Sequence, residues 1–133
     1  FGHSQSPQQK LLANLKAAGV EHRATIRTAD MRQLPFEPGE FDAIVSAYAV
    51  DHLSRDGIRQ GLAEAARVVK PSGDFLLILI ANDRWARFAF GPILSHGGTR
   101  GAEWWTARLR EAGFDVLEEG SRPLTLYFLA RRT

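Results

Sequence analysis

Two short apolar runs, Phe41–Ala47 (FDAIVSA) and Asp74–Ala81 (DFLLILIA), constrain this chain more than any other feature. Neither alternates apolar with polar residues, so each reads as a buried strand of a parallel sheet covered on both faces. Between them Ser54 caps a helix whose apolar stripe is Ile58, Leu62, Ala65, Ala66 and Val69, and Pro71-Ser72-Gly73 stops it. Such alternation of strand and helix marks an α/β layer fold.

The flanks extend the pattern. Ser6-Pro7-Gln8-Gln9 is a helix start: Ser6 caps, Pro7 takes the first helical position and Gln9 closes a capping box. Leu11, Leu12, Leu15 and Ala18 follow at helical spacing, and Gly19 supplies the left-handed residue that ends the helix. Ala24–Thr28 is a short strand candidate. A helix is predicted over Glu103–Ala112, where adjacent Trp104 and Trp105 point about 100° apart, so at most one enters the core. Phe114–Glu119 and Leu124–Ala130 are then strands joined by Gly120-Ser121-Arg122-Pro123, a connection too short for a parallel crossover, so this pair is antiparallel. The sheet is therefore expected to be mostly parallel, with one reversed strand near its end.

Composition removes several functions. Without cysteine there are no disulfides, thiolate metal sites or cysteine nucleophiles. The four histidines, at 3, 22, 52 and 96, show no metal-binding spacing, so no metal is expected. Net charge is only +2 and the arginines are scattered, which gives no nucleic-acid footprint. The longest apolar run, Phe75–Ala81, is far short of the about 20 residues a membrane helix needs, and the polar N-terminus lacks a signal-peptide core. No interaction with nucleic acid or membrane is expected, and the localisation read from this is cytoplasmic. Oligomeric state is not legible.

Parallel α/β sheets bind ligands beyond the carboxyl ends of their strands, which directs attention to the residues after Thr28, Ala47 and Ala81. Asp30 and Met31 offer a carboxylate, a backbone N–H and an apolar side chain. Ser46-Ala47 allows close approach to backbone, and Tyr48 and His52 place polar atoms above it; Asp51 beside His52 suggests a general base. Trp85, Phe88, Phe90 and His96 stand where a substrate lid would be.

Three segments in order carry a resemblance: TADMRQLPF (28–36), FDAIVSAYA (41–49) with His52-Leu53, and EAARVVKPSG (64–73) before FLLIL. Together they resemble the second half of a class I S-adenosylmethionine-dependent methyltransferase, with Val69 for the family's leucine and Ser72 for its first glycine. The resemblance implies an α/β, Rossmann-like three-layer sandwich with a mostly parallel sheet and an antiparallel C-terminal hairpin. It also implies S-adenosyl-L-methionine as cofactor: Asp30 bonding the adenine amine, Met31 against the adenine, Ser46, Ala47 and Tyr48 flanking the methionine portion. A small-molecule methyl acceptor would meet His52, Trp85 and His96. In-line methyl transfer needs alignment and dehydration more than a catalytic side chain, so no catalytic residue is assigned.

The family's acidic-plus-glycine loop after its first strand, and the acid at the end of its second, have no counterpart, and the chain opens on Phe1. The expectation is a single, N-terminally incomplete domain over residues 1–133 that lacks the first β-α unit and alone binds the cofactor poorly. The missing strands would lie beside Ala24–Thr28 and leave it without neighbours. Two rival readings are a nicotinamide-dependent Rossmann enzyme, against which the reversed hairpin argues, and a non-enzymatic methyltransferase-like domain mediating protein association.

Overall fold

A computed structural model describes residues 6–80 and 101–133. Helix α1 (Pro7–Ala17) starts as its sequence dictates: the Gln9 N–H donates to Ser6 Oγ at 3.1 Å and the Ser6 N–H to Gln9 Oε1 at 3.0 Å. It ends at Gly19, whose φ of 71° suits a residue without a side chain. None of its residues is buried, and Leu11 and Leu12 lie exposed.

Strand β1 (Phe41–Ala47), helix α2 (Arg55–Val68), strand β2 (Val69–Ile80), helix α3 (Ala102–Glu111) and the hairpin β3 (Phe114–Arg122) and β4 (Thr125–Arg132) form the core. The four strands run in the order β1-β2-β4-β3, with β1 parallel to β2 and both β4 contacts antiparallel. Three strands thus point one way and β4 is the reversed one. Phe75, Leu77 and Leu79 on β2 and Leu126, Phe128 and Ala130 on β4 are buried at alternate positions, so one sheet face carries them. Ile58, Leu62, Ala65 and Ala66 of α2 and Trp105 and Leu109 of α3 join them in one apolar cluster. Trp105 is that core's largest side chain while Trp104 is only half-buried, as the 100° spacing requires.

Four expectations need correction. Residues 24–28 form no strand; a short 3-10 turn at Glu21–Arg23 leads into irregular chain instead. A strand needs a partner for its backbone groups, and β1 pairs only with β2 among the described residues. Nor is β1 covered on both faces: Val45 is 65% exposed. Next, Pro71-Ser72-Gly73 does not separate helix from strand, because β2 begins at Val69. Between the pairs Phe41–Val69 and Ala43–Asp74, β1 advances two residues and β2 five, so the Pro-Ser-Gly stretch bulges out of the ladder. Gly73 permits the bulge: a Cβ there would sit 2.7 Å from the Lys70 carbonyl oxygen and 2.9 Å from that of Asp42. Finally, the hairpin loop shrinks to Pro123-Leu124, because Gly120 joins β3 opposite Tyr127, whose ring fills the space of the absent side chain.

Candidate functional site

The loop from Asp30 to Phe36 is fixed from helix α2. Glu64 Oε2 accepts the Leu34 N–H at 2.7 Å, while Arg67 donates to the carbonyl oxygens of Phe36 at 2.7 Å and Leu34 at 3.0 Å. The two side chains also pair with each other at 2.8 Å. This pairing holds the Glu64 carboxyl below its ordinary range, against the opposite push of its partial burial, with the Leu34 N–H helping. A loop without regular structure thus acquires a defined path because one i,i+3 pair on α2 bonds its backbone.

That path brings Met31 and Leu34 against the end of β1. Together with Ser46, Ala47, Gly61 and Phe75 they line a mostly apolar cavity of about 290 Å³ between the sheet and α2. Gly61 stands on the helix side of the cavity, where a Cβ would lie at ordinary contact distance, 3.9 Å, from the Met31 carbonyl oxygen. Ser46, one of the lining residues, has its Oγ buried with no hydrogen-bond partner. An orphaned buried hydroxyl costs about 1–3 kcal/mol, a cost removed once the side chain rotates to meet a polar partner. Mostly apolar walls at the carboxyl end of a parallel strand suit a flat adenine ring, so the residues present fit the apolar part of the cofactor that the resemblance implies. A larger hollow of about 450 Å³ lies between α3 and β3, but half of its lining is charged (Glu103, Arg110, Glu118 and Glu119) and it sits at the opposite edge of the sheet. Size does not outweigh that chemistry.

The other expected residues divide. Asp30 is not a cavity wall. Its carboxylate takes the Arg32 side chain at 2.6 Å and the Arg32 N–H at 2.9 Å, and these hydrogen bonds lower its pKa from 3.8 to about 2. Tyr48 also leaves the cavity. Its φ of 56° lies in the left-handed region, which costs a residue with a Cβ about 1–2 kcal/mol. Its N–H still donates to the Ile78 carbonyl at 2.8 Å, but its hydroxyl meets Thr125 Oγ1 at 2.9 Å on β4. His52 is exposed on a 3-10 turn (Val50–His52). Asp51 does not serve it: Asp51 Oδ2 accepts the Ile80 N–H at 3.0 Å, closing the ladder where β1 has ended, and Oδ1 is buried without a partner. Trp85, Phe88, Phe90 and His96 lie outside the described residues. No cluster of metal-binding side chains occurs among the described residues, and no described helix is long and apolar enough to cross a membrane.

Sequence reasoning missed Thr125. It inspected the carboxyl ends of parallel strands, whereas a reversed strand brings its amino end to the same rim. The antiparallel pairing it predicted was the available signal.

The model of the methyltransferase domain family matches residues 3–73. An uncharacterized protein of Haemophilus influenzae is 26% identical in an alignment of 129 positions that covers 88% of this chain and 49% of that protein. An O-methyltransferase family protein from Burkholderia thailandensis superposes with a TM-score of 0.74 at 19% identity, over 96% of this chain and 42% of that one. The 1,6-didemethyltoxoflavin-N1-methyltransferase of Burkholderia thailandensis, solved with 1,6-didemethyltoxoflavin and S-adenosylhomocysteine, gives 0.73 at 17%, over 98% and 58%. The chain thus spans about half the length of the curated relative it matches. With the matched segment covering more than half of the chain and the fold superposing on solved methyltransferases, this chain belongs to the methyltransferase domain family, in the class I S-adenosylmethionine-dependent fold.

Proposed function

We propose that the chain serves S-adenosylmethionine-dependent methylation of a small molecule, and that the Met31–Ser46–Ala47 cavity holds the adenosyl part of the cofactor. The observation that carries this reading is the mostly apolar cavity at the carboxyl end of β1, beside the Asp30–Met31 loop. Met31 and Phe75 supply the apolar contact, Ser46 a polar one once its hydroxyl rotates into the cavity, and Ala47 leaves the backbone approachable. Asp30 stands next to this wall, and bonds an adenine amine once it shares its carboxylate between that group and Arg32. When bound, the cofactor supplies an electrophilic methyl group on its sulfonium sulfur. The chain's own part is to align the two reactants and exclude water. His52, with Trp85 and His96, belongs to the acceptor side in this reading.

Ser46→Ala separates binding from stability. Removing an orphaned hydroxyl is expected to raise the melting temperature by a few degrees. The same change is expected to weaken S-adenosylhomocysteine binding five- to tenfold, about 1.0–1.4 kcal/mol. Thermal unfolding and isothermal calorimetry read the two effects. Unchanged affinity in the variant would remove Ser46 from the site, and the cavity's assignment with it.

A further inference from the structure

Ser46 and Tyr48 are two residues apart, so on a regular strand both side chains would point to one face. The left-handed backbone at Tyr48 breaks that rule. Ser46 Oγ stays buried at the cavity, while the Tyr48 side chain crosses the end of β2 and reaches β4, which is not a neighbour of β1. The partner it finds, Thr125, follows directly on Leu124, another left-handed residue with φ 66°. Two of the three non-glycine residues with positive φ among the described residues therefore flank one exposed hydrogen bond on the carboxyl rim. Unfavourable backbone of this kind persists where the surrounding structure enforces it, and it concentrates at functional sites.

We infer that the Tyr48–Thr125 hydroxyl pair is the polar anchor for the methyl acceptor, and that this acceptor is a small aromatic hydroxyl compound. The inference rests on the cofactor reading above and moves Tyr48 from the cofactor to the acceptor.

Hydrogen-bond capacity decides the class. Each hydroxyl carries one donor and two lone pairs, and their mutual bond uses one donor and one lone pair. One O–H and three lone pairs remain for a ligand, whichever of the two is the internal donor. A ligand hydroxyl, which both gives and accepts, uses both kinds. A carboxylate only accepts and an ammonium only donates, and neither meets a compensating charge on this pair. The Tyr48 ring, 46% exposed, adds a flat apolar face against which an aromatic ring can lie.

The test uses the whole 133-residue chain with the tyrosine ζ-carbons labelled. The two tyrosines, Tyr48 and Tyr127, give two signals, and Tyr127 packs over Gly120 within the hairpin. With S-adenosylhomocysteine present, catechol is expected to shift the Tyr48 signal saturably, and benzoate and benzylamine to leave it in place. Tyr48→Phe and Thr125→Val are each expected to weaken catechol at least fivefold by ligand-observed saturation transfer, with S-adenosylhomocysteine affinity held within twofold. Catechol affinity unchanged in both variants overturns the inference. So does a tenfold loss of S-adenosylhomocysteine affinity in Tyr48→Phe, which would return Tyr48 to the cofactor. Failure of S-adenosylhomocysteine to bind the unaltered chain is a separate result and overturns the cofactor reading itself.

Discussion

Trp105→Ala is expected to lower the stability of the domain by about 3–5 kcal/mol. Only Trp105 and Leu109 of α3 are buried, so the substitution removes the larger of the two side chains that hold this helix to the sheet. The indole is 1% exposed and meets Trp104 edge-on at 5.0 Å, while the Arg108 guanidinium lies 5.2 Å from the centre of the Trp104 ring. Its loss leaves a cavity and undoes that stack together. In urea the midpoint should fall sharply with little change in slope, because the surface exposed on unfolding is nearly the same. A loss below 1 kcal/mol would mean that α3 does not depend on this anchor, and the account of the core would be wrong.

Glu64→Ala is expected to cost about 1–2 kcal/mol, since hydrogen bonds to a charged group are strong but this one is partly open to solvent. The effect should also reach beyond α2. Without the carboxylate the Leu34 N–H loses its acceptor and Arg67 its partner, so amide exchange should quicken across residues 31–36. The pH dependence follows from the sign of the shift. Glu64 titrates lower in the folded chain than its ordinary 4.5, so its contribution is complete above about 4.5 and disappears as the pH falls through the folded value. Asp30, lowered by Arg32 from 3.8 to about 2, acts in the same direction at still lower pH, with small weight because it is exposed. Glu64→Gln keeps an acceptor for Leu34 but no longer titrates, so this part of the acid limb should flatten. An acid limb identical in wild type and Glu64→Gln would show that the pair contributes nothing.

The sequence was most legible where local chemistry decides structure. The capping box at Ser6 and Gln9, the end of α1 at Gly19, the bounds of β1 and the reversal of β4 all follow from nearest-neighbour rules, and the structure has them. It misled where a distant partner decides. Residues 24–28 have strand-like composition but no strand beside them among the described residues, and Gly120 joins a strand only because Tyr127 lies opposite. The candidate site divides along the same line. Met31, Ser46 and Ala47 meet because loop and strand end converge, which follows from topology. That Arg32 takes the Asp30 carboxylate, that Asp51 turns to Ile80 instead of His52, and that Tyr48 leaves for Thr125 depend on side-chain directions which spacing does not fix.

Met31 is the chain's single methionine and forms part of the cavity wall, so a chain labelled at its methionine methyl shows one signal from the place where the adenosyl group is expected. Titration with S-adenosylhomocysteine should move this signal along a saturable curve with an affinity weaker than about 10 μM, because no glycine-rich cradle is found in the sequence. Adenosine should compete. A methyl signal that stays fixed at millimolar S-adenosylhomocysteine would contradict the account.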